Sequence, residues 1–257
     1  MLSLERQDEI LEILNREKSA TVEELANELF VSGATIRRDL RIMEQQGLIK
    51  RSHGGAVPFK SSSGEESAFA IREQENITAK RTMANLAVKL IKSGQSLFFD
   101  SSSTTGALIP LLNRFKYLSV TTTGLRNALL LSQTNTVKIY IAGGLVANHS
   151  NSITGTDTMD YISRIHADIA FISCMGADIS AGFTDASIEQ AKLKQQMRKN
   201  SSVVAMLCDS TKLGKTYMCT DFDFSDVDYI ITEKLPDDKY VKAIESAGCK
   251  IICPERE

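Results

Sequence analysis

The run Ser32-Gly33-Ala34-Thr35-Ile36-Arg37-Arg38-Asp39-Leu40-Arg41 sets three arginines beside small and hydroxyl-bearing residues. Ile36, Leu40 and Met43 recur at helical spacing, so one face of a helix here must pack inward. Arg37, Arg38 and Arg41 then point outward or sideways, with Ser32, Gly33, Ala34 and Thr35 at the amino-terminal end. Guanidinium groups can grip guanine edges bidentately, hydroxyls can hold phosphate, and Gly33 and Ala34 let a backbone come close. That is the chemistry of a helix lying in a DNA major groove. Taken alone, the same pattern also suits a solvated helix with Asp39 paired to an arginine.

A second constellation is Asp100-Ser101-Ser102-Ser103-Thr104-Thr105-Gly106, where an apolar run ends, five hydroxyls follow and a helix begins. Hydroxyls and helix-terminal amides together make an anion site, and phosphate suits it. An ordinary strand-to-helix loop with a Ser or Thr cap reads the same way locally. Asp209-Ser210-Thr211-Lys212-Leu213-Gly214 closes another apolar run. Lys212 there is either a countercharge for phosphate or a surface lysine, and Asp100 and Asp209 could accept sugar hydroxyls.

These groups need elements to hold them. Leu4, Ile10, Leu11 and Leu14 predict a helix over 4–17. Thr21-Val22-Glu23-Glu24 is a capping box that opens a short helix through Leu25 and Leu29. Ser32 caps the third helix, which ends at Gly47. Strands at 48–51 and 56–57 flank Ser52-His53-Gly54-Gly55. Three helices and a hairpin form the winged helix-turn-helix plan. Residues 58–68 break every periodicity and read as a linker. From Phe69 a long helix is expected to about Lys92. Strands follow at 96–99, 118–121, 137–141, 168–172, 203–207, 229–231 and 250–253. Helices at about 105–113, 125–131, 157–163, 187–199 and 237–247 lie between them. Such alternation predicts an α/β domain with a largely parallel sheet covered on both faces. Ligands of such sheets sit at the carboxyl ends of the strands, where the 100–106 and 209–214 loops fall.

The spacing carries a family resemblance. Arg6, Ile10 and Leu14, a gap of 17 residues, then Ser32-Gly33-Ala34-Thr35-Ile36-Arg37-Arg38-Asp39-Leu40 resemble the DNA-binding domain of the DeoR family of bacterial transcriptional regulators. The 47–56 segment GLIKRSHGGA is similar to that family's wing. The resemblance implies a helix-turn-helix at 20–39, with Arg37 and Arg38 on DNA, Asp39 buttressing the helix, and Arg51 and His53 in the wing. His53 suits either a DNA contact or a hairpin-stabilising role. The C-terminal motifs also resemble the family's effector domain, which is related in fold to ribose-5-phosphate isomerase. They are the 100–104 loop, Gly182-Phe183-Thr184 followed by Ala191 and Lys194, and the 209–214 segment. Ser102, Gln190 and Thr211 depart from that family's commoner residues.

The division implied is 1–57 for a DNA-binding domain, 58–68 for a linker and 69–257 for a sensing domain. The function implied is a repressor of a sugar or carbohydrate catabolic operon, released from its operator by a phosphorylated sugar. Such proteins dock as dimers, so a homo-oligomer, dimer or tetramer, is expected. The alternative is an isomerase-like enzyme, for which the sequence shows no base with an orienting partner.

Composition agrees. The 257 residues carry a net charge of −2, and residues 1–56 hold eight Lys and Arg against ten Asp and Glu, yet residues 35–51 alone are +3. A local basic stripe suffices for phosphate contact. No apolar run is long enough for a membrane span, the N-terminus has no secretory pattern, and a cytoplasmic protein is expected. The five cysteines have no CxxC or zinc spacing and read as buried reduced thiols. No cofactor, metal or catalytic residue is expected.

Overall fold

The computed structural model describes residues 3–45, 48–52, 54–58 and 69–256. They form two compact units, Met1–Arg72 and Glu73–Glu257. In the first, α1 (Ser3–Glu17), α2 (Val22–Glu28) and α3 (Gly33–Gln45) pack with β1 (Ala20–Thr21), β2 (Ile49–Ser52) and β3 (Gly55–Pro58). The strands run antiparallel in the order β1-β3-β2. The capping box is present: Thr21 Oγ1 accepts from the Glu24 N–H, and Glu24 accepts from the Thr21 N–H. Ile10, Leu14, Leu25, Ile36, Leu40 and Met43 close one core. The two-residue β1 was not expected from the sequence. It lies so close to β3 that a Cβ on Gly55 would sit 2.2 Å from the Ala20 carbonyl, so the hairpin needs glycine there. Gly47, expected to end α3, lies outside the described residues.

The expected long helix from Phe69 is two helices, α4 (Phe69–Gln74) and α5 (Ile77–Ala87). The boundary between the units falls within α4. Asn76, left-handed at φ 52°, breaks the run; asparagine tolerates that conformation better than most residues.

The second unit holds a seven-stranded, wholly parallel sheet. Its strands are β4 (Ser96–Phe99), β5 (Leu118–Thr122), β6 (Val137–Ile141), β9 (Ala167–Ser173), β12 (Ser201–Leu207), β14 (Tyr229–Ile231) and β15 (Lys250–Ile252). All seven were expected from sequence. The order is β15-β14-β12-β9-β4-β5-β6. The chain leaves β4 towards β5 and β6, then returns on the far side of β4 with β9 and β12. The topological switch point is therefore between β4 and β9. Adjacent residues supply the two faces: Phe98 packs in one core, Leu97 and Phe99 in the other.

Helices α7 (Leu125–Leu131), α8 (Thr156–Ser163), α9 (Ile188–Lys199) and α10 (Asp238–Ser246) connect the strands. The helix expected over 105–113 is instead a single turn, α6 (Ser103–Gly106), and a 3₁₀ stretch, Ile109–Arg114. Pro110 has no N–H for a continued α-helix. Two small antiparallel elements were also missed. One is β7 (Leu145–Ala147) with β8 (Ser152–Thr154); the other joins β10 (Gly176–Asp178), β11 (Gly182–Asp185) and β13 (Cys219–Phe222). Strands of three or four residues carry no usable alternation.

Candidate nucleic-acid interface and effector crevice

In the first unit, Ile36, Leu40 and Met43 turn α3 against α1 and α2, which leaves Arg37, Arg38 and Arg41 exposed. Ser32 Oγ accepts the Thr35 N–H at 3.2 Å and lies 2.9 Å from Thr35 Oγ1. These two hydroxyls cap the helix, and Ala34 beside them is exposed. The first turn carries no acid, so the helix dipole and three guanidinium groups present positive charge, and none of the three is in an ion pair among the described residues.

Asp39, the acid within the arginine run, is turned inside. Arg6 Nε donates to its Oδ2 at 2.6 Å and Arg6 Nη2 to its Oδ1 at 3.3 Å. Hydrogen bonding to Asp39 raises the Arg6 pKa above its ordinary value. The pair ties α1 to α3 and turns the acid of the arginine run away from the exposed face. Sequence spacing contained both residues but not their partnership. Arg51 is exposed on β2, its N–H on Glu44 Oε1 at 3.2 Å and its guanidinium 4.0 Å from Glu44 Oε2. His53 lies outside the described residues.

In the second unit, the 100–105 loop lies at the carboxyl end of β4, at the switch point. Its hydroxyls are disposed differently from the expectation. The Asp100 carboxylate accepts from the Ser102 N–H (3.0 Å), Ser102 Oγ (2.6 Å) and Thr105 Oγ1 (2.8 Å) on one oxygen, and from the Ser173 N–H (2.8 Å) on the other. Asp100 thus cross-links the ends of β4 and β9. Asp100, Ser102 and Thr105 are internal bracing rather than free ligands, because a buried carboxylate must collect donors. Ser101 Oγ donates to Gln190 Oε1 at 3.3 Å, and Thr104 is buried. Asn127 Nδ2 braces the loop from α7 through the carbonyls of Asp100 (2.9 Å) and Ser102 (3.1 Å).

Ser103 is half-buried, and Lys80 Nζ of α5 donates to its Oγ at 3.1 Å. Lys212 Nζ donates to Ser173 Oγ at 2.8 Å and lies 3.7 Å from Asp209 Oδ2. Burial works against the Lys212 charge, but the attraction of Cys174 and Asp209 leaves its pKa above the ordinary lysine value. Burial likewise opposes ionisation of Asp209; Lys212, Thr211 and Lys80 outweigh it and hold the carboxyl below its ordinary value. Two lysines therefore act on one carboxylate. Asn76 Nδ2 reaches the same place, 3.1 Å from Thr211 Oγ1 and 3.4 Å from Asp209 Oδ1. Lys80 and Asn76 were missed in the sequence: both belong to the run read as one long helix.

Beneath this lies a buried charge cluster. Lys194 of α9 donates to the Ser173 carbonyl at 2.6 Å and to the Asp185 carboxylate, and it stands 3.8 Å from both Asp100 and Asp221. Burial opposes its charge, but Asp185, Asp221 and Asp100 raise its pKa well above the lysine range. Burial and the charge of Asp185 push Asp221 up to about 10. Asp221 finds no hydrogen-bond donor among the described residues; at neutral pH it is a neutral carboxyl whose own proton lets it face Asp185. The sequence flagged Lys194 only through the family motif. Among the described residues no group of His, Cys, Asp and Glu could hold a metal ion, and no helix is long and apolar enough to cross a membrane.

Comparison with known proteins matches both units. Residues 6–62 fit the DeoR-like helix-turn-helix domain family, and residues 75–234 the DeoR C terminal sensor domain family. The chain is 34% identical over 255 residues to the HTH-type transcriptional regulator GolR of Listeria innocua, covering 99% of this chain and 100% of that one. It is 30% identical over 232 residues to the glycerol-3-phosphate regulon repressor of Haemophilus influenzae, covering 90% of each. Among solved structures, ribose 5-phosphate isomerase A from Methanocaldococcus jannaschii aligns with a TM-score of 0.38 and 18% identity, covering 52% of this chain and 53% of that one.

Proposed function

The chain belongs to the DeoR family of helix-turn-helix transcriptional regulators, and on that premise we propose that it is a cytoplasmic repressor of a sugar or carbohydrate catabolic operon, released when a phosphorylated sugar binds the second unit. The α3 surface supplies the DNA half of the reading. Arg37, Arg38 and Arg41, with Ala34 at the helix start, meet the major groove, and Arg51 meets backbone.

The observation that carries the ligand half is the approach of Lys80 and Lys212 from opposite sides of the switch point. Lys80 rests on Ser103, Lys212 on Ser173, and Asp209 is the shared counter-ion. A phosphate entering there exchanges the weaker lysine contacts for charge-assisted ones, and Ser103 and the loop amides add donors. Asp209, Asn76 and Thr211 are placed for the sugar. Asp100 supports the floor, since its four donors leave it no base to offer. Asp185 is likewise held by Lys194. Carboxylates spent in this way favour binding without turnover over the isomerase reading.

The test uses fluorescence anisotropy of DNA from the chain's own promoter region, titrated with a panel of sugar phosphates. A sugar phosphate lowers DNA affinity, while sulfate alone changes nothing, because it lacks the contacts that distinguish two conformations. Lys80→Ala and Lys212→Ala bind DNA as the wild type does and lose the ligand response. If both variants respond at the same ligand concentration, the crevice reading fails.

A further inference from the structure

The seven-stranded sheet has two edges, and they differ. One ends in the three-residue β15. The other ends in the five-residue β6, Val137-Lys138-Ile139-Tyr140-Ile141, and among the described residues no strand lies beyond it. Edge strands are normally guarded by proline, bulges or several charges; β6 has one lysine and pairs with β5 in unbroken register. The Ala142 N–H donates to the Thr122 carbonyl at 3.2 Å. Alternation along a parallel ladder then turns residues 138 and 140 towards β5 and leaves the N–H and C=O of Val137, Ile139 and Ile141 facing outward.

The strand is also chemically palindromic. An antiparallel copy centred on Ile139 sets Ile139 against Ile139, Val137 against Ile141, and Lys138 against the second copy's Tyr140. The three outward-facing residues become the three hydrogen-bonded pairs, so all six edge groups are satisfied at once. Lys138 already lies over the Tyr140 ring within its own chain, 5.3 Å from the centroid, and the two-fold pairing gives each lysine a second ring. Shifting the centre to Lys138 opposes like charges and loses pairs; shifting it to Tyr140 loses pairs.

The surroundings fit the same operator. Beyond the carboxyl end of β6, Leu145 is 72% exposed, and Ile141 and Val146 are exposed too. Beside its amino end lies an open groove lined by Tyr117, Leu118, Val137 and Lys138, with Tyr117 84% exposed. Antiparallel pairing brings the apolar end of one copy alongside the grooved end of the other, twice, as a two-fold interface requires.

We infer that β6 is a homodimerisation edge, pairing antiparallel with β6 of a second copy about Ile139 to give a continuous fourteen-stranded sheet. The inference stands apart from the ligand reading and is tested without DNA. The full chain is examined by sedimentation equilibrium, with the wild type expected to dimerise. Tyr140→Lys opposes Lys138 at both symmetry-related positions and weakens the dimer about tenfold or more. Adding Lys138→Glu to it restores opposite charges and returns wild-type affinity. Far-UV circular dichroism reports folding. Should Tyr140→Lys not fold, Tyr140→Glu, which places a carboxylate opposite Lys138, carries the test and is expected to dimerise at least as tightly as the wild type. A monomeric wild type, an unweakened Tyr140→Lys dimer, no recovery in the double variant, or a weakened Tyr140→Glu dimer overturns the inference.

Discussion

Replacing Lys194 by methionine keeps the length of the side chain and removes its charge. The consequence can be worked out group by group. Asp100 retains four donors without the lysine. Asp221, with a pKa of about 10, is already neutral. Asp185 is the carboxylate that Lys194 touches directly, and both side chains are 6% exposed, while Asp100 at 3.8 Å loses a more distant countercharge. Breaking a buried pair from one side costs about 3–5 kcal/mol.

The expected loss is about 3–5 kcal/mol. In a domain of this size it lowers the melting temperature by about 6–20 °C. Differential scanning calorimetry reads the transition of the second unit, and Asp185→Asn in the methionine background should recover most of the loss. A loss under about 1 kcal/mol, or no recovery in the double variant, refutes the assignment of Asp185 as the dependent charge.

Arg37→Ala should weaken DNA binding by about 1–3 kcal/mol in anisotropy titrations at fixed salt, with the melting temperature unchanged. Arg6→Ala removes the guanidinium bonded to the buried Asp39 and should destabilise the first unit by about 1.5–3 kcal/mol, seen by chemical denaturation. For Asp221 the folded pKa lies above the unfolded one, so its proton is kept on folding and lost on unfolding. Its contribution is greatest below the unfolded value of about 3.9 and declines as pH rises towards about 10. Asp221→Asn should flatten this decline, making the variant the more stable protein at pH 9 in thermal melts.

Legibility in the sequence followed the range of the interactions. The seven sheet strands were readable because parallel strands buried on both faces are continuous apolar runs. The α3 surface was readable because one helix repeat separates its inward and outward residues. Asn76 broke a helix that periodicity drew as continuous, since the reason for its left-handed turn lies at Asp209 and Thr211, over a hundred residues away. The 100–105 hydroxyls were recognised as a group, but their direction was set by the Ser173 N–H across the switch point. Lys80, Asn127 and the Arg6–Asp39 clamp escaped for the same reason. Each is a single polar residue whose partner has no fixed offset in the chain.

The clamp between Arg6 and Asp39 bears on how this molecule can diverge. With Ile36, Leu40 and Met43 it fixes the position of α3 entirely from the buried side. The residues at 34, 37, 38 and 41 are exposed and make no side-chain hydrogen bond or ion pair among the described residues, and substitutions at such exposed positions usually change stability by less than about 0.5 kcal/mol. On the proposed DNA reading, a lineage can exchange one set of bases for another through these four codons while the domain folds as before. The residues proposed to set the target are then the ones that folding can spare.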